Sequence, residues 1–415
     1  MTDAAATTPA SATVPDASAA LAHARELLSR TPLVDGHNDL LYAMRDAAGY
    51  DFGQVDIAQP QERLHTDIPR LRAGGLSVQF WSVYVPSKLQ FGTAVTQTLE
   101  QIDAMYQMID RYPDTFEAAY TADDAERIVA AGRIASIAGM EGGHSIDRSL
   151  GALRMMYRLG ARYMTLTHND NTPWADSATD EPAVGGLTAF GEEVVREMNR
   201  LGMLVDLSHV APDTMRAAIR VSEAPVLFSH SSCRALCDSP RDVPDDVLAT
   251  LPGNGGTCMI TFVPAFVSQQ VIDYNKEAAA AAERAGVVKP FAWRDPATKA
   301  FYDGYREEHP RPVATLAQVA DHVEHARDVA GVDHVGLGGD YDGVDALPEG
   351  LADVSCYPAL FAELIRRGWS DDDLVKLAGG SALRTLRDAE GVARRLQAER
   401  GPSLATIAKL DAAGS

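Results

Sequence analysis

Basic residues are scarce in this chain. Among its 415 residues, 37 are Lys or Arg and 58 are Asp or Glu, which gives a formal net charge of −21 at pH 7. Phosphate backbones and anionic lipid surfaces repel such a chain, so we expect neither a nucleic acid nor a membrane as a partner. The sequence also lacks a run of about 18 apolar residues, the length that a membrane-spanning helix needs.

Cysteine is scarce as well. The four residues, Cys233, Cys237, Cys258 and Cys356, have neither the density of a disulfide framework nor zinc-finger spacing, and we interpret them as reduced thiols. The first 16 residues lack the basic start and apolar centre of a secretory signal and are rich in Ala, Thr, Ser and Pro. We therefore expect a disordered tail over residues 1–16 and a cytoplasmic protein.

Glycine-rich phosphate loops are also absent. Neither Gly-x-Gly-x-x-Gly nor Gly-x-x-x-x-Gly-Lys-Ser/Thr occurs, which argues against an open nucleotide-binding sheet. The chain instead has eight short apolar segments separated by helical patterns, and this alternation predicts parallel strands buried on both faces. The predicted strands are 31–34, 76–85, 133–140, 162–167, 203–207, 225–229, 258–263 and 334–338.

Eight strand–helix units favour an α/β fold of the closed (β/α)8 TIM type over an open sheet. We predict a single barrel domain over residues 17–415 with helices at its C-terminal end. Residues 264–312, rich in Ala and charge, form an insertion between the seventh and eighth strands. In a barrel this insertion would project near the active-site mouth, as a lid or as an oligomer contact.

The first predicted strand runs into Asp35-Gly36-His37-Asn38-Asp39. Residues two apart on a strand point the same way, so His37 and Asp39 offer an imidazole and a carboxylate to one point in space. Zn²⁺ takes both ligand types, and the pair is therefore half of a potential metal site. The alternative is a pair of turn carboxylates beside a capping histidine.

Other predicted strands end in the same kinds of side chain. A barrel gathers the carboxyl ends of its strands into one mouth. Seven candidate groups would meet there: His37, Asp39, Glu141, His168, His209, His230 and Asp340.

The number of ligands exceeds what one zinc ion needs. A set of five of these groups, three histidines and two carboxylates, suits two ions that share a bridging carboxylate. Glu141 is the expected bridge because Gly142 and Gly143 leave room beside it. Two such ions bind a shared hydroxide, a nucleophile for hydrolysis near neutral pH. The absence of Cys among the strand ends favours zinc before manganese or iron.

The segments around these residues are DGHNDL at 35–40, QFWSVYVP at 79–86, GMEGGHS at 139–145, YMTLTHNDNTPWADS at 163–177, VDLSH at 205–209, FSHSSCRALCDSPRDVPDD at 228–246 and GLGGDYDG at 336–343. Taken together, they resemble the renal (membrane) dipeptidase family of binuclear zinc peptidases, within the wider amidohydrolase-like barrels.

The resemblance implies how the metal ligands are divided. His37, Asp39 and Glu141 would hold one zinc ion. Glu141, His209 and His230 would hold the other, so that each chain carries two Zn²⁺.

The resemblance also implies substrate-binding and catalytic roles. His168 is similar to the residue that polarises the scissile carbonyl, and five ligands already suffice for two metals, so a hydrogen bond to an oxyanion suits it. Arg241 is similar to the clamp on the substrate's C-terminal carboxylate; its alternative is an exposed loop arginine paired with Asp238 or Asp242. Asp340 is similar to the residue that handles protons and anchors the free amino group; its alternatives are a third metal ligand and a turn residue.

Three features depart from the family pattern or fall outside it. Asp170 stands where the mammalian type has Cys, and Gly379-Gly380-Ser381 replaces Gly-Gly-Asn. His322 and His325 lie at helical spacing among charged neighbours, and we interpret them as part of a solvated helix face rather than as a second metal site.

These observations predict a zinc-dependent dipeptidase that acts by attack of a metal-bridging hydroxide. The resemblance implies tolerance of a D-residue at the C-terminal position, and a homo-oligomer is a further expectation. Two alternatives stay open. One is another amidohydrolase-like reaction, such as lactone, dihydropyrimidine or phosphotriester hydrolysis, although such sites commonly begin His-x-His and bridge with a carbamylated lysine. The other is a metal-binding protein that has lost catalysis.

Overall fold

The computed structural model describes residues 15–89, 92–287 and 296–411. Residues 1–14 of the predicted tail lie outside the described residues, so disorder there stays a prediction. The first described helix is α1 (Ala17–Arg30). Its N-terminus is capped by Asp16, whose carboxylate accepts the N–H of Ala19 at 2.9 Å.

The described strands form one parallel sheet. They are β1 (Leu33–Asn38), β2 (Leu76–Tyr84), β3 (Phe116–Ala118), β4 (Ile134–Glu141), β5 (Ala161–Thr165), β6 (Leu204–Asp206), β7 (Val226–Ser231), β8 (Thr257–Ile260) and β9 (Val335–Leu337). Their order is β2-β1-β9-β8-β7-β6-β5-β4-β3, and an additional pairing of β2 with β4 closes the sheet. The predicted (β/α)8 barrel is confirmed, with β1, β2 and β4–β9 as its eight strands.

The short strand β3 was not predicted. It pairs with Ile134, Ala135 and Ser136 at the start of β4 and lies outside the closed barrel. Three residues are too few to show a hydrophobic period, which is why the sequence pattern missed this strand.

Helices alternate with the strands around the barrel. They are α2 (Leu40–Ala48), α3 (Ile68–Gly74), α4 (Gly92–Arg111), α5 (Ala122–Ala130), α6 (Leu150–Arg158), α7 (Ala189–Leu201), α8 (Pro212–Val221), α9 (Asp245–Leu248), α10 (Leu251–Asn254), α11 (Pro264–Val267), α12 (Gln269–Arg284), α13 (Pro296–Glu308), α14 (Leu316–Ala330), α15 (Tyr357–Arg366), α16 (Asp371–Val375), α17 (Ser381–Glu399) and α18 (Ile407–Leu410). Within the described ranges, none of them is both long and apolar enough to traverse a bilayer.

Side chains fill the barrel beneath its mouth. The rings of Phe80 and Tyr163 stack there with centroids 5.5 Å apart. Glycines on neighbouring strands make room, since a Cβ on Gly139 would lie 2.1 Å from Cζ of Tyr163 and one on Gly36 would lie 2.5 Å from Sδ of Met259. This packing holds the ends of β1 and β4, which carry His37 and Glu141, at a fixed height.

The segment 264–312 lies between β8 and β9, the seventh and eighth strands of the barrel, and contains α11, α12 and α13. Residues 288–295 lie outside the described part. Its first residues contact the loop after β7: the thiol of Cys237 lies 3.5 Å from the carbonyl of Ala265, and the guanidinium of Arg241 lies 5.1 Å from the ring centroid of Phe266. A lid or oligomer role for the rest stays a prediction.

Candidate active site

The seven predicted strand-end groups lie together at the carboxyl ends of the barrel strands. His37, Glu141 and His230 are on β1, β4 and β7, and the other four follow their strands within a few residues. His209 and Asp340 have positive φ angles of 68° and 60°. Residues other than glycine adopt this conformation at a cost, and it is concentrated at functional sites.

Glu141 is at the centre of the cluster. Its Oε1 atom lies 2.9 Å from Nε2 of His209, 3.4 Å from that of His230 and 3.6 Å from that of His168. Its Oε2 atom lies 3.6 Å from Nε2 of His37. The two oxygens of one carboxylate therefore face different imidazoles, which is the arrangement that a bridging ligand requires.

Two further carboxylates, those of Asp39 and Asp340, lie beside His37. The Nε2 atom of His37 is 3.3 Å from Oδ2 of Asp39 and 4.0 Å from Oδ1 of Asp340. A Cβ at position 343 would lie 2.3 Å from both of these carboxylate oxygens, so only Gly343 leaves them space.

The arrangement of donor atoms fits metal ions. Three groups have ligand atoms within 4.8 Å of one another: His37, Glu141 and His230; Glu141, His168 and His209; and His37, Asp39 and Asp340. Nε2 of His37 and Oδ1 of Asp39 are buried without a hydrogen-bond partner in the described chain. Buried ligand atoms without partners are costly unless a cation occupies the space that they face. His168 and Asp340 lie in these groups beside the five predicted ligands.

The outer nitrogens of three imidazoles have partners behind the cluster. Nδ1 of His37 lies 2.9 Å from the hydroxyl of Tyr163, which itself donates to the carbonyl of Gly36 at 3.2 Å. Nδ1 of His209 lies 3.2 Å from Oδ1 of Asn169, and Nδ1 of His230 lies 2.8 Å from Oγ of Ser229. These acceptors favour the tautomer with the proton on Nδ1, which leaves Nε2 for a metal.

Burial sets the charge of the site. It lowers the pKa of His209 and His230 well below the usual range and that of His168 to about 4, so these imidazoles are neutral at pH 7. Burial opposes ionisation of Glu141, but His37, whose own pKa is raised despite burial, and the neighbouring imidazoles outweigh it and hold the pKa of Glu141 well below normal. A neutral imidazole and an ionised carboxylate are the metal-binding forms.

Asp340 differs from Glu141. Burial, reinforced by the neighbouring charge of Asp39, raises the pKa of Asp340 well above its usual range. Its carboxyl group is therefore suited to hold a proton, whereas Glu141 is suited to stay ionised.

Tyr84 is a residue of the mouth that sequence reasoning did not single out. It ends β2, and its ring lies 4.7 Å from that of His168, which lies 4.3 Å from that of His209. The only available signal was its place in the segment QFWSVYVP at the end of a strand.

Arg241 lies at the mouth with one open hydrogen-bonding position. Its side chain is buried, Nη2 lies 3.5 Å from the carbonyl oxygen of His230, and Nη1 has no partner in the described chain. The alternative pairing with Asp238 is not observed, because Asp238 pairs with Arg234 at 3.3 Å. Asp242, the other alternative partner, accepts no bond from Arg241 among the described residues. The guanidinium is thus held in place and can still receive an anion.

The interpretation of His322 was wrong. Its side chain on α14 is 1 % exposed, and Nδ1 accepts the N–H of Cys233 at 3.0 Å. His325 points elsewhere and lies 2.8 Å from Asp245. Cys233 and the other three cysteines are free thiols, as predicted.

A closed parallel barrel whose mouth holds a histidine and carboxylate cluster defines the class of metal-dependent barrel hydrolases. The family model described as Membrane dipeptidase (Peptidase family M19) matches residues 21–400, and the chain belongs to this family. It is therefore a metallo-dipeptidase, and the predicted family resemblance is confirmed.

Individual relatives agree with this family. Dipeptidase 3 of Rattus norvegicus is 39% identical over 371 residues, which cover 88% of this chain and 67% of the rat protein. The fold is similar to that of the probable dipeptidase PvdM from Pseudomonas aeruginosa, with a TM-score of 0.78 at 24% identity, over 91% of this chain and 100% of that chain. It is also similar to a metallopeptidase from Rhodobacter sphaeroides, with a TM-score of 0.70 at 24% identity, over 86% and 99% of the two chains.

Proposed function

We propose that this metallo-dipeptidase is a binuclear zinc enzyme that cleaves dipeptides, including those with a D-residue at the C-terminal position. The observation that carries the proposal is the position of Glu141. One of its oxygens faces His209 and His230, while the other faces His37. A carboxylate placed in this way can bridge two cations.

The ligand sets that we propose share this bridge. His37, Asp39 and Glu141 hold one ion, and Glu141, His209 and His230 hold the other. When bound, two zinc ions supply a water of lowered pKa and Lewis acidity toward the scissile carbonyl.

Recognition of the substrate is assigned to two residues of the mouth. Arg241 binds the C-terminal carboxylate through its unpartnered Nη1, since a planar guanidinium matches a carboxylate. Asp340 binds the free amino group. Because both termini are held, the site is limited to substrates of dipeptide length.

Two side chains serve the chemical step. Neutral His168 donates a hydrogen bond to the carbonyl oxygen as negative charge develops there. The oxygen of water bonds to the acyl carbon, the amide C–N bond breaks, and Asp340 carries the proton from water to the departing amine. The raised pKa of Asp340 suits this transfer.

Metal analysis combined with a substrate panel tests the proposal. Zinc-loaded protein is expected to contain about two ions per chain and to release free amino acids from L,L- and L,D-dipeptides faster than it opens lactones or esters. L-Ala-D-Ala is a suitable first substrate, because a phosphinate mimic of this dipeptide is the ligand in the Rhodobacter sphaeroides structure. Faster turnover of lactones, or binding of dipeptides without cleavage, would favour one of the two alternatives. Cytoplasmic location and a homo-oligomer stay predictions.

A further inference from the structure

A buried carboxylate lies behind one of the proposed ligands. Asp206, the last residue of β6, is fully buried and accepts four hydrogen bonds. Its Oδ1 atom accepts the N–H groups of Ser208 at 3.2 Å and Ser229 at 2.8 Å. Its Oδ2 atom accepts the hydroxyls of Thr165 at 2.5 Å and Ser229 at 2.7 Å. Burial raises the pKa of Asp206, and these four hydrogen bonds oppose the rise, since each of them is donated to a carboxylate oxygen.

Ser229 connects this carboxylate to His230. A serine hydroxyl has one proton, and that of Ser229 is donated to Asp206. The 2.8 Å contact between Oγ of Ser229 and Nδ1 of His230 must therefore be an Nδ1–H donated to the hydroxyl. The proton of the neutral imidazole is fixed on Nδ1, and Nε2 carries none; it lies 2.9 Å from Nε2 of His209 and 3.4 Å from Oε1 of Glu141.

The other two proposed histidine ligands have a weaker second layer. His37 contacts the hydroxyl of Tyr163 and His209 contacts the amide oxygen of Asn169, which are neutral groups. Among the residues that the structure describes, no Lys or Arg forms an ion pair with Asp206. Its buried carboxylate therefore acts on the proposed metal site through Ser229 and His230, with Arg241 as a charged neighbour that does not hydrogen-bond it.

We propose that Asp206 and Ser229 are positioning residues that fix the tautomer of His230 and strengthen zinc binding at the site formed by Glu141, His209 and His230. The inference rests on the proposed function, because it assumes that His230 is a ligand. We call the hydrogen-bonded chain of Asp206, Ser229 and His230 the relay. The inference predicts that loss of the relay changes the affinities of the two zinc ions unequally, whereas a purely structural role would change the stability of the fold instead.

The test compares Ser229→Ala with Ser136→Ala. Ser136 is a matched control, since its hydroxyl is also buried on a barrel strand but has no partner in the described chain. Stepwise zinc affinities are measured by competition with a chromophoric chelator, and urea unfolding of the metal-free proteins monitors the fold. Ser229→Ala is expected to lower the affinity for one of the two zinc ions by about 10- to 100-fold and to leave the affinity for the other unchanged. Ser229→Thr, which keeps a hydroxyl, is expected to restore most of the lost affinity.

A second measurement avoids any dependence on folding of the variant. In metal-free wild type labelled with ¹⁵N-histidine, His230 is expected to show the Nδ1–H tautomer in long-range ¹⁵N–¹H spectra. An Nε2–H tautomer in wild type, or wild-type affinity for both ions in Ser229→Ala, would overturn the relay. If wild type itself fails to bind a second zinc ion, the proposed function fails and the relay fails with it, which is a distinct outcome.

Discussion

The guanidinium of Arg241 hydrogen-bonds the main-chain carbonyl of His230, with Nη2 and the oxygen 3.5 Å apart. His230 presents its imidazole to Glu141 from the same point of β7. The proposed carboxylate clamp and the proposed metal ligands therefore share one backbone segment. We propose that this shared segment fixes the distance between the substrate's C-terminus and the scissile bond and so selects substrates of dipeptide length.

Loss of the Arg241 side chain is expected to weaken substrate binding more than the chemical step. We expect Arg241→Ala to raise KM by about 30- to 1,000-fold, equivalent to about 2–4 kcal/mol, because a buried charge pair with the substrate is lost. Steady-state kinetics on a dipeptide and on its C-terminal amide measure this effect. The substitution should change KM for the amide little, because the amide has no carboxylate for Arg241 to bind.

The matched control is Arg234→Ala. Arg234 lies on the same loop but already pairs with Asp238 and should leave KM unchanged. If wild type hydrolyses the amide as well as the free acid, Arg241 does not bind the carboxylate.

Replacement of Glu141 is expected to remove a metal ion as well as activity. In Glu141→Gln, one neutral amide replaces the carboxylate that faces imidazoles on two sides, so we expect metal content near one ion per chain rather than about two. Elemental analysis after zinc loading measures this, with Glu117→Gln as the control because Glu117 forms an ion pair with Arg127 on the outside of the barrel. Full metal content together with full activity in Glu141→Gln would remove this residue from the bridge.

His168 can be tested as an oxyanion donor against its alternative as a metal ligand. Its Nε2 lies 3.6 Å from Glu141, and burial lowers its pKa to about 4, so it is a neutral donor at pH 7. We expect His168→Gln to lower kcat by about 10²- to 10³-fold and to keep the metal content of wild type. Loss of an ion from His168→Gln, with none from the control His325→Gln, would make His168 a ligand instead.

The positions of the proposed ligands were predictable because they depend on one rule of the fold. Parallel strands of a barrel send their carboxyl ends to the same mouth, so residues as distant in sequence as His37 and Asp340 are placed together by topology alone. The number of residues between the ligands does not matter for this rule. A recognisable strand before each ligand was enough to predict that they meet.

The side chains that hydrogen-bond the proposed ligands from behind were not predictable in the same way. Tyr163 reaches His37 across 126 residues of sequence, and Ser229 reaches Asp206 across 23. These contacts depend on which strand faces which and at what height, a property that hydrophobic periods do not carry. His322 shows the same limit, because charged neighbours on α14 suggested a solvated face although this side chain packs against the loop that contains Cys233.

Burial of His322 predicts a specific loss of stability in mild acid. Burial lowers its pKa to about 4, whereas the ordinary value in an unfolded chain is 6.5. Between these values the unfolded chain binds a proton that the folded protein does not, so stability is complete above the unfolded pKa and is lost as the pH falls toward the folded one. From pH 7 to pH 5 we expect His322 to contribute a loss of about 2 kcal/mol.

His322→Asn isolates this contribution. Asparagine keeps an acceptor for the N–H of Cys233 but does not titrate, so the difference in unfolding free energy between pH 7 and pH 5 should shrink by about 2 kcal/mol relative to wild type. Urea unfolding of metal-free protein measures that difference, and His325→Asn, one turn along the same helix, controls for the substitution. Other buried groups titrate equally in all three proteins and cancel. Equal losses in wild type and His322→Asn would show that His322 binds its proton as readily in the folded protein as in the unfolded chain.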